Sequence, residues 1–358
     1  MSSVTHGTSD IQDYSSAVDH YLSSGRRDPI KVQAEEPFTR RILRDVIDNL
    51  HRPIGGTIRM IDMGCGTGDG LALLSNTSDG EIELRSLYNI FYHGLDSDPS
   101  MINAARALNT NVRASTFSVG DMRDCGRADF DDYDLYLSFG VPWSHLTPRE
   151  AQDLLANLFI KTRRSSLRTA LVVDVLGRYS IEWVKQWPYA QWDYSMSFMN
   201  SAEDVVHAPM SFYSRDTLSD LIDGASQQSG TKPARVDFHD RSIMTGRHTS
   251  TGTFNNTLPP YRNYINQLLS GRTDVDLDNL YFTPPQEDCP PEVQTFFASF
   301  ASSWNERITR ANETSGQVDE DELKARNLAL GKQLVALEQR SQRGLGVGHS
   351  FTATIYLD

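Results

Sequence analysis

The chain has 358 residues, enough for two domains of about 150 residues or one large domain with an insertion. Its 39% hydrophobic and 23% charged residues are globular composition, and a core of that size needs no disulfide or metal staple. Lys and Arg total 34 against 47 Asp and Glu, a net charge of -13 that repels phosphate backbones and anionic membranes, so neither is an expected partner.

Cys65, Cys125 and Cys289 are odd in number and far apart, so no disulfide framework and no metal knuckle is expected. The polar N-terminus lacks the basic-then-apolar order of a secretory signal, and no run of about 18 apolar residues is present. A cytoplasmic setting is the expectation.

Residues 1–12 offer almost nothing to bury. From Asp13 to Leu50 the pattern is helical, with Tyr14, Val18, Tyr21 and Leu22 on one stripe and Phe38, Ile42, Leu43, Val46 and Ile47 on another. Ile58–Asp62 reads as a short buried strand, followed by glycines and the apolar helix Leu71–Leu74. Ile90–Asp96 is a strand, and Asp98-Pro99 opens a helix through Leu108. Val112–Val119 and Tyr133–Phe139 are extended. Thr147-Pro148-Arg149-Glu150 is a capping box, and Thr169–Val175 is an aliphatic strand with both faces covered. Residues 179–213 are rich in Trp, Tyr and Met. Asp216–Gln228 is a helix, Ala234–Thr245 a strand, and about ninety residues with helical stripes precede a final strand, Ser350–Leu357. The alternation predicts a doubly wound, mostly parallel α/β sheet.

The segment Met60-Ile61-Asp62-Met63-Gly64-Cys65-Gly66-Thr67-Gly68-Asp69-Gly70 carries the most information. A strand enters a loop whose glycines permit tight turning and close backbone approach, and a helix N-terminus follows. Asp69 breaks the G-x-G-x-x-G dinucleotide spacing, and the Gly-Lys-Ser/Thr ending of a phosphate loop is absent. The segment resembles the first motif of class I S-adenosylmethionine-dependent methyltransferases, D-x-G-x-G-x-G. Further along, Gly94-Leu95-Asp96-Ser97-Asp98-Pro99-Ser100-Met101 and Val119-Gly120-Asp121-Met122 resemble that family's second and third motifs. Tyr133 to Phe139 resembles its fourth strand.

The resemblance implies a Rossmann-like sheet of seven strands with helices on both faces, the last strand antiparallel beside the sixth. It covers roughly residues 14–250 and the final strand. It divides the chain into an N-terminal helical cap (1–55), a catalytic domain (56–251 and 347–358) and a helical insertion (252–346) serving as a lid or a homodimer face. It also implies that S-adenosyl-L-methionine is bound and left as S-adenosyl-L-homocysteine. The implied cofactor residues are Tyr21, Asp62, Gly64, Cys65, Gly66, Gly68, Asp96, Ser97, Met101, Asp121, Met122 and Phe139. Asp96 is expected to accept both ribose hydroxyls, and Asp121 to meet the adenine amino group.

Acceptor-site candidates are Trp143, His145, Trp183 and Tyr213, with His145 the candidate base; His207, His239 and His248 are weaker ones. The activated methyl group makes few demands, since alignment and water exclusion carry much of the barrier. The reading is methyl transfer to an O, N or aromatic C atom of a small molecule, in specialised metabolism. The alternatives are methylation of a basic protein tail, a cofactor-binding member of the fold that does not methylate, and a dehydrogenase, which Asp69 disfavours. Leu258-Pro259-Pro260-Tyr261 looks like an amine-methylating motif but follows the sixth strand, so it reads as a helix start.

Overall fold

The computed structural model describes residues 18, 27–50, 55–75, 82–163, 168–196, 207–313 and 319–358. Tyr14 and Tyr21 lie outside them.

The core is a sheet in which β1 (Ile58–Met63), β2 (Ile90–Asp96), β3 (Ser115–Val119), β4 (Leu135–Leu137) and β5 (Thr169–Gly177) run parallel in the order β3-β2-β1-β4-β5. Every residue of β5 is buried, as its near-continuous aliphatic run requires. Beyond β5, β9 (Ser350–Leu357) pairs antiparallel along its whole length, from Thr169 opposite Leu357 to Leu176 opposite Ser350. The other edge of β9 takes β8 (Arg235–Arg241), also antiparallel. The expected antiparallel last strand beside the strand before it is therefore present.

The strand count differs from the expected seven. Among the described residues the sheet has nine strands, because β6 (Gln191–Ser195) and β7 (His207–Tyr213) form an antiparallel pair inside the aromatic stretch. Neither strand contains a Val, Ile or Thr, and Pro209 interrupts the second, so ordinary strand signals are missing. β7 pairs with β5 only through Leu176–Phe212 and Gly177–Tyr213. A strand has two edges and β9 fills one of them, so the β6–β7 pair continues the sheet beyond the short β4, above its carboxyl end.

Helices cover both faces. Phe38, Ile42, Leu43, Val46 and Ile47 of helix Glu36–Asn49 pack with Leu71 and Leu74 against Met60, Leu135 and Val172. Helices Pro148–Thr162 and Arg215–Ser229 cover the opposite face through Leu154, Leu155, Leu158, Leu218 and Ile222. The Thr147/Glu150 capping box is formed, and Asp98 caps helix Pro99–Leu108 as expected.

Between β8 and β9 lie helices Arg247–Thr251, Tyr261–Leu269, Pro291–Glu313 and Glu320–Arg340. Leu258-Pro259-Pro260-Tyr261 is indeed a helix start. Ile265, Leu268, Phe297, Trp304, Leu330 and Leu334 of these helices share one core with Ile30, Met101, Trp183 and Met244. Arg262, 2% exposed, ties residues before β1 to this layer: its guanidinium forks onto Asp28 (Nε 2.7 Å, Nη2 2.8 Å) and reaches Glu35 at 2.7 Å. No helix among the described residues is long and apolar enough to cross a membrane.

Candidate active site

Parallel strands of an open α/β sheet put their carboxyl ends on one side, and loops leaving those ends form the cleft. Four such loops carry most of the expected residues here.

The loop after β1 turns through three left-handed glycines, Gly64 (φ 78°), Gly66 (φ 52°) and Gly68 (φ 96°), a region that disfavours side chains. The Gly64 and Cys65 amides both donate to Leu95 O, at 2.8 and 3.0 Å, fixing the loop to β2. The first turn of helix Asp69–Ser75 sits so close that a Cβ on Gly70 would overlap the Asp62 carboxylate. At Gly66, by contrast, an added Cβ would meet nothing within 4 Å. Cys65 is buried, and burial raises its thiol well above the usual range, so it is an inert part of the wall.

Asp62 is 2% exposed and accepts Tyr92 Oη at 2.6 Å through Oδ2. Its buried Oδ1 has no hydrogen-bond partner among the described residues. Burial pushes the Asp62 carboxyl up to about 7, with the charges of Asp69 and Asp96 adding to the effect. Asp96 ends β2, half-buried, with Oδ2 accepting Gly66 N (2.8 Å) and Oδ1 accepting Asp98 N (3.0 Å). A carboxylate has about four lone-pair sites, so two remain for hydroxyl donors. Burial raises this carboxyl too.

Met101 is buried beneath the cleft, while Ser97 is exposed, and Met122 and Phe139 are half-buried. Asp121 caps the turn Met122–Gly126, and Arg123 bridges it to Glu150. Burial would raise its carboxyl, but the Arg123 hydrogen bonds outweigh that and hold it low.

The loop after β4 is the most constrained. Gly140 (φ 87°) and Val141 (φ 63°) are consecutive left-handed residues, costly for a β-branched side chain. Asp174 of β5 over-determines them: its Oδ2 accepts the amides of Gly140 (2.9 Å) and Val141 (3.3 Å) and the Arg241 guanidinium (3.0 Å). Its Oδ1 accepts Thr352 Oγ1 at 2.8 Å. Ser144 then receives the Leu176 amide on Oγ at 2.8 Å, pinning the turn Pro142–His145 to β5. Ser144 belongs to the stretch 140–145 expected at the acceptor site, whereas Asp174 was not expected, although one acid inside a strand buried on both faces needs a partner.

The four acceptor-site candidates do not form one wall. Trp143 and Tyr213 lie in the helix–sheet core with Leu154 and Val173, whereas Trp183, with no exposed surface, belongs to the separate core of the last helices. His145 is solvent-accessible at the rim but has protein on most sides, and desolvation lowers its imidazole to about 4. Among the described residues, no group of three or more His, Cys, Asp or Glu side chains is arranged to hold a metal ion.

The cradle has a definite charge preference. Three carboxylates, Asp62, Asp69 and Asp96, surround an open glycine loop, and one buried oxygen lacks a donor. A family profile described as "Methyltransferase domain" matches residues 60–163, the span from β1 through helix Pro148–Thr162. These residues are a methyltransferase domain.

The enzyme is thus a methyltransferase. Comparison with curated proteins gives no match. Among solved structures, a chain of the complex between the Haloferax volcanii Trm112 methyltransferase activator and a methyltransferase is similar at 14% identity. The match covers 97% of this chain and 98% of that one, with a TM-score of 0.43. Geranyl diphosphate C-methyltransferase from Streptomyces coelicolor A3(2) is similar at 12% identity over 98% and 86% of the two chains, TM-score 0.36. Magnesium protoporphyrin IX methyltransferase from Synechocystis PCC 6803 is similar at 14% identity over 64% and 92%, TM-score 0.36.

Proposed function

We propose that this methyltransferase methylates a small molecule bound above β4 and β5. The observation that carries this reading is the β6–β7 pair. It raises Trp192 above the end of β4, where half-buried Trp192, Phe254 and Val141 belong to one apolar cluster. Such a surface suits an apolar or aromatic acceptor, and the net charge of -13 disfavours nucleic acid. The sequence motifs resemble the small-molecule, natural-product branch of the class I methyltransferases, which is the ground for placing the reaction in specialised metabolism.

S-adenosyl-L-methionine, when bound, supplies a methyl group already activated on a sulfonium. The chain's own residues bind and align. Asp96 takes the ribose hydroxyls on its remaining lone pairs, Asp62 faces the cationic end, and Gly66 leaves room for the ligand. Met101, Met122 and Phe139 form apolar walls, with Ser97 and Asp121 at the purine side. Residues 28–35, clamped by Arg262, and the helices between β8 and β9 close over the cleft and exclude water. His145, on the pinned turn, is the candidate base that the motif order supplies.

Calorimetric titration with S-adenosyl-L-homocysteine tests the site. Asp96→Ala should weaken binding by about tenfold or more, since hydrogen bonds to a charged acceptor contribute roughly 1.5–3 kcal/mol. Unchanged affinity would remove Asp96 from the site. Methyl-labelled cofactor separates the acceptor classes: label recovered in small molecules supports the proposal, whereas label on polypeptide favours a basic protein tail attracted to the acidic chain.

A further inference from the structure

A second histidine stands at the same end of the sheet. Glu182 lies in the turn Ile181–Gln186 after β5, its side chain wholly buried, and His349 immediately precedes β9 with 21% of its side chain exposed. His349 Nδ1 meets Glu182 Oε2 at 2.7 Å. A carboxylate only accepts, so Nδ1 carries the proton and Nε2 is the basic atom; it has no hydrogen-bond partner among the described residues. Glu182 is itself held, since the His248 amide donates to Oε1 and Ser180 Oγ donates to Oε2 at 3.2 Å.

The backbone under the imidazole is equally fixed. His349 N donates to Ser242 O (2.9 Å), and its carbonyl accepts Gly177 N (3.3 Å), the last residue of β5. Just before it, the amides of Leu345, Gly346 and Val347 all donate to the buried Asp240 carboxylate at 2.8–2.9 Å. A carboxylate-oriented imidazole on a loop fixed at both ends is a preorganised base.

Its ring neighbours run towards the acceptor surface through the wholly buried Trp183. The Trp183 ring lies 5.6 Å from the imidazole, Phe254 lies 6.1 Å from Trp183, and Trp192 lies 5.2 Å from Phe254. The other ionisable neighbours are accounted for. His248, 5.7 Å away ring to ring, is bonded through Nε2 to Tyr194 Oη and through Nδ1 to Thr251 Oγ1. Burial lowers the His248 imidazole to about 4, so it is neutral at pH 7. Arg247 lies next to it in sequence. Arg241, bonded to Ser350 Oγ at 2.8 Å, is neutralised by Asp174. Glu182 is the carboxylate that faces the ring.

We propose that His349, oriented by Glu182, is the base that removes the proton of a phenolic acceptor bound against Trp192 and Phe254. This rests on the small-molecule reading above. A phenol suits both halves of the site, because its ring packs on the aromatic wall and its hydroxyl is acidic enough for an imidazole to deprotonate. In the step, the phenol O–H bond breaks and its proton goes to Nε2. The oxygen bonds the methyl carbon, and the pair of the carbon–sulfur bond leaves on sulfur. Glu182 acts as a positioning residue, balancing the imidazolium that forms. His145, on the turn after β4, is the competing base, and its alanine variant tells the two apart.

The test uses 4-nitrophenol as probe, added to the enzyme loaded with S-adenosyl-L-homocysteine, with phenolate absorbance and calorimetric binding followed against pH. The phenolate-to-phenol ratio of bound probe should be about tenfold that of free probe at the same pH, and His349→Gln and Glu182→Gln should return it to the free value. Three results overturn the proposal: no probe binding, binding without a change in ionisation, or a change kept in His349→Gln and lost in His145→Ala. Affinity for S-adenosyl-L-homocysteine, measured on each protein, reports folding separately, and its absence in the wild type would sink the methyltransferase reading instead. If Glu182→Gln does not fold, His349→Gln decides.

Discussion

Asp62 ionises in the folded protein only near pH 7, because burial and two neighbouring carboxylates disfavour its charge. A raised carboxyl means that the unfolded state loses its proton first. Stability linked to this group is therefore full below about pH 4 and declines as pH rises towards 7. A bound cation reverses the preference. Cofactor binding should then release a proton from Asp62, and affinity for S-adenosyl-L-methionine should rise between pH 6 and 8. Calorimetry in buffers of different ionisation enthalpy measures that proton directly. Asp62→Asn should flatten the pH dependence, and an equal slope in that variant would assign the proton elsewhere.

At the level of elements, the decisive contact is the one between β5 and the loop after β4. Two left-handed residues persist there because Asp174 collects both of their amides and an arginine from β8. Asp174→Asn should remove the ion pair with Arg241 and loosen Gly140 and Val141. Losing one partner of a buried pair costs roughly 3–5 kcal/mol, which urea unfolding would read. Methyl transfer should fall in kcat while S-adenosyl-L-homocysteine still binds, because the glycine loop and Asp96 are untouched. The same contrast explains what the sequence made legible. Asp62, the glycines and Asp96 follow one another strand by strand, and β5 announces itself as an aliphatic run. The β6–β7 pair was hidden by aromatic composition and Pro209. Asp174–Arg241 and Glu182–His349 were hidden because their partners lie 67 and 167 residues apart, and no local pattern encodes such a pairing.

Across the whole molecule, residues far apart in sequence are fastened at one basic side chain. Arg262 is almost fully buried in the helical layer between β8 and β9, yet it satisfies Asp28 and Glu35 from before β1 and the carbonyl of Thr245. Asn266 adds hydrogen bonds to Asp28 (3.0 Å) and to the Ile30 amide (2.9 Å), so one face of helix Tyr261–Leu269 holds the N-terminal segment. Lys31 of that segment in turn reaches Asp69 beside the glycine loop at 3.3 Å. The layer and the cofactor loop are therefore mechanically linked. Replacing Arg262 by Met keeps much of the apolar stem and leaves two carboxylates without their guanidinium, at a cost of roughly 3–5 kcal/mol. Part of that strain is relieved if residues 28–35 detach, and local opening is cheaper than global unfolding. In Arg262→Met, amide hydrogen exchange should accelerate across residues 28–35 and at the loop around Asp69, while β1, β4 and β5 keep their protection. Uniform acceleration over the whole sheet would show instead that the clamp supports the entire fold.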